Sequence, residues 1–169
     1  LDSSVYSSEE LDRFGEAMAL TSDGNTLVVG SPGYKSETGC AYIFRRSKYT
    51  SFFQIAQQLT LGGVGIAGDQ LGCTVAIDHN TVVVGACGRA DKAIYTGTLP
   101  SSKREIRSGA VYVFLRSDFE RNFFLSQRLV ASNVKAHDRF GHSIGISNDT
   151  IIVSSLTPLP ANTQLRPRH

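Results

Sequence analysis

The chain has 169 residues, 41% of them hydrophobic and 19% charged, with a formal net charge of +2. That balance excludes a disordered polyelectrolyte, and so small a positive charge recommends neither nucleic acid nor an anionic membrane as a partner. No apolar run approaches the ~20 residues of a membrane-spanning helix, no basic and apolar leader marks a signal peptide, and the length suggests one domain.

In chain order, Asp12-Arg13-Phe14-Gly15 opens the first unit. Alternation over 16–21 predicts a strand. Ser22-Asp23-Gly24-Asn25 supplies a turn, since Gly, Asn and Asp tolerate left-handed backbone. Thr26-Leu27-Val28-Val29-Gly30 is a nearly continuous apolar run, as expected of a strand covered on both faces. After a six-residue loop, Gly33 to Thr38, comes a third strand, Gly39-Cys40-Ala41-Tyr42-Ile43-Phe44. Tyr42 and Phe44, two apart, share a face. A fourth strand, about 53–61, mixes glutamine with apolar residues, as an outer, half-solvated strand does.

The same order then recurs. Asp69-Gln70-Leu71-Gly72 and Asp138-Arg139-Phe140-Gly141 repeat the opening. Strand one returns over 73–78 and 142–147, and strand two as Thr81–Gly85 and Thr150–Ser154. Tyr112 and Phe114 repeat Tyr42 and Phe44, and 123–131 repeats 53–61. Strand one is small on one face (Ala17 and Ala19; Thr74 and Ala76; Ser143 and Gly145) and large on the other (Met18 and Leu20; Val75 and Ile77; Ile144 and Ile146). Three identical splits imply one packing role repeated three times. No stretch keeps a capped helical period. Four antiparallel strands per unit is the blade of a β-propeller, so the expected fold is all-β: about two and a half four-stranded blades over 1–156. Unit one spans 12–61, unit two 69–131 and a partial unit three 138–156, with an off-pattern, proline-containing tail at 157–169. Each repeat needs neighbours to bury its faces. The chain is therefore expected to be a fragment of a longer propeller, or a protomer that borrows blades.

The sequence Asp-x-Phe-Gly, the Val-Gly-Ser-Pro segment at 29–32, Gly-x-x-Tyr-x-Phe and Gln-x-Leu, in that order, resembles the FG-GAP repeat of integrin alpha-subunit head domains and many bacterial and protist surface proteins. The signature residues are Asp12, Phe14, Gly15, Asp69, Gly72, Asp138, Phe140, Gly141, Tyr42, Phe44, Tyr112 and Phe114. Leu71 replaces the phenylalanine in unit two, Ala86-Cys87 replaces Ser-Pro, and Ser154 replaces the glycine in unit three. The resemblance implies a β-propeller serving protein binding or cell adhesion, extracellular or at a cell surface, as a non-enzymatic module. The alternative is a structural blade segment of a larger enzyme or multi-subunit complex.

Gly63-Val64-Gly65-Ile66-Ala67-Gly68 matches a dinucleotide-binding fingerprint, but a strand-one entry follows where a helix is required. It reads as a blade connector. Some FG-GAP blades resemble calcium sites. Here each strand one–two loop offers a single carboxylate, Asp23, Asp78 or Asp149, too few for a hard cation, and no cofactor is expected. His137, Asp138 and His142 could form a metal or acid–base set. Asp138 recurs as Asp12 and Asp69 without either histidine, so it reads as a turn former whose carboxylate accepts backbone N–H groups. No catalytic residue and no metal site is expected. Three cysteines (Cys40, Cys73, Cys87) lack ligand spacing and read as small, partly buried thiols. Asn148-Asp149-Thr150 is a glycosylation triplet in a hairpin turn, which mildly favours secretion.

One irregularity stands out. The strand two–three loop of unit two runs 21 residues, Gly88 to Ser108. Insertions in a repeat tend to mark a binding face. The partner-binding candidates are therefore Arg89, Lys92, Tyr95, Lys103, Arg104 and Arg107, on the same face as connectors 62–68 and 132–137. The partner is expected to be a protein or the remaining blades of the same propeller, without nucleic acid or membrane insertion.

Overall fold

The structure is a computed structural model that describes residues 12–47, 49–89, 107–117, 119–132, 135 and 137–156. The tail at 157–169 lies outside the described residues. Unit one is an antiparallel meander of β1 (Met18–Leu20), β2 (Thr26–Ser31), β3 (Cys40–Arg46) and β4 (Phe53–Leu59). Unit two repeats it as β5 (Leu71–Asp78), β6 (Thr81–Ala86), β7 (Ala110–Leu115) and β8 (Phe124–Leu129). Unit three contributes the hairpin β9 (Ser143–Ser147) and β10 (Thr150–Ser154). The departures from strand are short. Tyr34–Glu37 is a tight turn with left-handed φ at Lys35, Ser36 and Glu37, and a 3-10 turn spans Gly62–Val64.

Registers of units one and two coincide. Val28 pairs with Ile43 and Val83 with Val113; Tyr42 pairs with Gln58 and Tyr112 with Arg128. Both third strands shift register one step before their second aromatic, at Ile43/Phe44 and Val113/Phe114. β1 is shorter than the 16–21 expected because the unit opens with a bulge. Gly15 donates to the Gly30 carbonyl at 2.9 Å while Gly30 donates back to Ala17 at 2.8 Å. β5 shows the same irregularity between Leu71 and Thr74. Gly15, Gly72 and Gly141 occupy this bulge with φ of 92°, 92° and 93°, which side chains other than glycine rarely adopt.

The split of strand one now has a cause. The large face packs backward onto the preceding unit. Val75 and Ile77 join Val28, Ala41 and Ile43 of unit one in the main core, and Ile144 and Ile146 join Val83 and Val111 of unit two. The small face looks forward: Ala19 lies in the first of these layers and Ala76 in the second. Fully burying a side chain such as Val28 or Val83 is worth about 1.5–3 kcal/mol, so these layers, rather than the strand ladders alone, hold unit to unit. At the rim, the Gln57 side-chain amide of β4 clamps unit two: its Nε2 donates to the Phe123 carbonyl and its Oε1 accepts the Phe123 N–H, both at 2.7 Å.

Two of the three cysteines depart from expectation. Cys73 and Cys87 form a disulfide with Cα atoms 6.1 Å apart, so reading them as thiols is corrected. The physical reason is the bulge: it offsets Cys73 from the Leu71–Ala86 and Thr74–Gly85 pairs and turns it toward the end of β6. A sequence separation of 14 closes a loop for which loop-closure entropy gives about 3 kcal/mol. Reducing the bond, or replacing both cysteines with alanine, is expected to lower the urea midpoint accordingly, with equilibrium denaturation as the measurement. Cys40 is a free, buried thiol. Burial pushes its pKa up, opposed in part by the Gln58 amide, whose Nε2 lies 3.4 Å from Sγ. Cys40 is expected to stay unreactive toward an exposed-thiol reagent until the protein unfolds, as read by the time course of labelling with and without denaturant.

Candidate interaction face

The face that carries the connectors is built by one repeated arrangement. Asp69 is buried, and its Oδ2 accepts the Ile66 N–H three residues upstream at 2.9 Å. Asp138, also buried, does the same for Lys135 at 2.9 Å. The carboxylate thus closes the connector before each bulge. The main-chain carbonyls of Asp12 and Asp69 accept the N–H groups of Gly33 and Gly88 at 3.0 and 3.1 Å, tying each entry to the end of strand two.

Unit then joins unit through backbone. Gln70 and Leu71 donate to the carbonyls of Glu37 and Thr38 at 2.7 and 3.1 Å; Arg139 and Phe140 donate to those of Arg107 and Ser108 at 3.0 and 2.8 Å. Two parallel bridges result, Gly39 with Leu71 and Gly109 with Phe140. Only glycine fits these seams. A Cβ on Gly30 would overlap the Gly72 carbonyl oxygen, and one on Gly85 would lie 2.8 Å from the Gly141 oxygen.

The long loop leaves the sheet through a pinned neck. Gly109 N–H and Ser108 Oγ both donate to the Arg89 carbonyl, at 2.9 and 3.1 Å. The Arg89 guanidinium forms an ion pair with Asp69 and donates to the Val64 carbonyl at 2.9 Å. Arg89, one of the partner-contact candidates, thus has its guanidinium engaged at the neck of the loop. Its charge is neutralised inside the fold, where it braces the loop against the connector. Arg107 stands half-buried at the other side of the neck and offers its carbonyl to Arg139. Lys92, Tyr95, Lys103 and Arg104 lie outside the described residues.

The signature aromatics Tyr112, Phe114 and Phe140 are placed in the layers between sheets, whereas Tyr42, Phe44 and Phe14 lie on the outward face of unit one. Tyr112 and Phe114 belong to the core between units one and two. Phe14 stacks on its own unit, 5.6 Å from the Tyr42 ring and 6.1 Å, edge-on, from Phe44. On the opposite face, Asp23 spends its carboxylate locally. It accepts the Thr21 hydroxyl at 2.5 Å, the Asn25 N–H at 2.9 Å and the Asn25 side-chain amide at 3.0 Å. The Thr21 hydroxyl, first, and the Asn25 backbone hold its pKa down, to about 2. A depressed carboxylate favours the fold above its unfolded value and loses that contribution as pH falls through about 2. Titration of the Asp23 carboxyl by NMR is expected to show this midpoint, and Thr21→Val to raise it. Among the described residues no group of three His, Cys, Asp or Glu is arranged to hold a metal, and no helix is long and apolar enough to cross a membrane.

The residues that sequence reasoning missed are the Cys73–Cys87 pair and the Arg89 brace. A hairpin register drawn with the bulge included would have placed the two cysteines together. Nothing local pointed to Arg89, whose partners lie 20 and 25 positions away in the chain.

Comparison with protein families agrees with this architecture. The family model described as FG-GAP repeat matches residues 61–114 and 123–158. No curated protein matches. Among solved structures, a Bacteroides uniformis protein provisionally named a 6-phosphogluconolactonase is 12% identical with a TM-score of 0.34. The alignment covers 75% of this chain and 45% of that one, so the chain spans less than half of that protein's length. With more than half of its residues inside the matched segments, and the repeated bulges and seams as their physical counterpart, the chain belongs to the FG-GAP repeat family.

Proposed function

We propose that this chain supplies blades to a larger FG-GAP β-propeller that acts as a non-enzymatic protein-interaction or adhesion module outside the cell. One observation carries the reading: several apolar positions sealed inside the array are open at its two ends, although Val29, Tyr42 and Phe44 on the backward face of unit one are buried. Met18 and Leu20, on the backward face of unit one, are 66% and 51% exposed, whereas Ile77, the counterpart of Leu20, is 8% exposed. Ile152 on the forward face of unit three is 68% exposed; its counterparts Val28 and Val83 are fully buried. Apolar faces of this kind are completed by further blades. The disulfide supports an oxidising, extracellular setting. The long loop, with Lys92, Tyr95, Lys103, Arg104 and Arg107, is the assigned contact element, and the rigid sheets beneath it need no moving part.

The test compares adhesion of beads carrying the complete repeat array with beads carrying the same array lacking residues 92–105. Loss of adhesion with unchanged thermal unfolding is expected, and equal adhesion removes the loop assignment. The open faces equally suit a second reading, a structural blade segment within a larger enzyme or multi-subunit complex. Purification of the array as a stable partner of a catalytic domain would favour it.

A further inference from the structure

The turn between β9 and β10 holds Asn148-Asp149-Thr150, and all three residues are exposed. Its counterparts differ in both spacing and burial. In units one and two the asparagine directly precedes the threonine, as Asn25-Thr26 and Asn80-Thr81, which breaks the Asn-x-Thr spacing. Thr26 is buried and Thr81 half-buried. Unit three alone among these turns combines the spacing with an accessible hydroxyl. The turn is also held in place. Asn148 adopts a left-handed φ of 49°, and its backbone N–H donates to Asp78 Oδ2 at 2.6 Å. That bond uses the backbone, so the side-chain amide of Asn148 takes no part in it.

We propose that Asn148 is an N-glycosylation site whose co-substrate is an oligosaccharide carried on a polyprenyl diphosphate. In the transfer Asn148 Nδ2 bonds to the anomeric carbon of the first sugar. The bond from that carbon to the diphosphate oxygen breaks, the lipid diphosphate leaves with the electron pair, and Nδ2 gives up one proton; nothing is oxidised or reduced. The inference rests on the extracellular reading above, because the donor and the transferase meet the chain only in the secretory route. The Cys73–Cys87 bond, which already supports that reading, marks the same route. The position also suits a mature glycan. Strand one–two turns lie at the opposite end of the sheets from the connectors and the long loop, so a sugar at Asn148 leaves the proposed contact face clear.

The experiment expresses the chain through the secretory pathway of a eukaryotic cell and maps its peptides by mass spectrometry. One N-linked glycan at Asn148 is expected, removed by peptide N-glycosidase with conversion of Asn148 to aspartate. Thr150→Ser is expected to retain the glycan and Thr150→Ala to lose it. Secreted protein that has formed the Cys73–Cys87 bond yet carries unmodified Asn148 overturns the site and leaves the extracellular reading standing. Recovery from the natural source with an unmodified Asn148 and reduced Cys73 and Cys87 overturns both. If Thr150→Ala does not fold, the peptide map of the unaltered chain decides.

Discussion

Gly30→Ala is expected to be among the most damaging methyl groups that can be added to this protein. The backbone of Gly30 is not left-handed, so alanine is conformationally acceptable there; the obstacle is steric. The new Cβ would occupy the space of the Gly72 carbonyl oxygen and lie 2.9 Å from the Gly72 carbon. Those are backbone atoms, and Gly72 is itself committed to the bulge that opens unit two. Relief requires unit two to move away from unit one, opening the layer that contains Val28, Ile43, Val75 and Ile77. Overpacking of this kind costs about 3 kcal/mol or more. Two controls separate the seam from generic effects. At Gly15 a Cβ meets nothing within 4 Å, so Gly15→Ala carries only the left-handed penalty, of about 1 kcal/mol. Ser154 stands where units one and two have Gly30 and Gly85, yet it is exposed on the open forward face. Ser154→Ala gives up only the exposed bond from the Ser143 N–H to its hydroxyl at 3.1 Å and is expected to cost about 1 kcal/mol or less. Urea denaturation of the three variants gives the ranking, and a Gly30→Ala midpoint equal to that of Ser154→Ala would rule out the close approach of the units.

Arg89→Met is expected to produce the second large loss. The substitution keeps the length and the apolar stem of the side chain but removes the guanidinium from a buried carboxylate. Asp69 retains the Ile66 N–H, which offsets part of the charge. Breaking one side of a buried pair otherwise costs about 3–5 kcal/mol. The effect has a local signature as well. Arg89 also holds the Val64 carbonyl, and its own carbonyl receives Gly109 and Ser108. The amides of Ile66 and Gly109 are therefore expected to exchange faster in the variant than those of β2 and β3. Asp69→Asn together with Arg89→Met is expected to be less harmful than the sum of the two single changes. Strict additivity would mean that the ion pair contributes nothing. Unit one has no counterpart of this brace among the described residues. Unit one crosses from β2 to β3 in six residues, Gly33 to Thr38. A crossing of that length is closed by its own backbone bonds, whereas a 21-residue excursion, Gly88 to Ser108, needs a side chain to hold its base.

Much of this molecule is legible along the chain because its strongest signals are local. Apolar runs bounded by turn residues place β2, β3, β6 and β7 within a residue or two, and Asn148-Asp149 marks a hairpin by its own backbone preferences. The threefold alignment of Asp12, Asp69 and Asp138 separates turn formers from the candidate histidines without any coordinate. The size pattern of strand one reveals that its two faces do different work. It does not reveal that the large face looks backward, because direction around the array is a relation between sheets. The same holds for the remaining features. Cys73 meets Cys87 only through a bulge that shifts the pairing, Arg89 reaches Asp69 and Val64 across a turn and a connector, and Gly30 is obligatory because Gly72 arrives there from the next unit. Periodicity and turn chemistry act over a few bonds and can be read from one strand at a time. Steric exclusion, ion pairing and burial act through space between segments, and their partners are identified only once the units are packed.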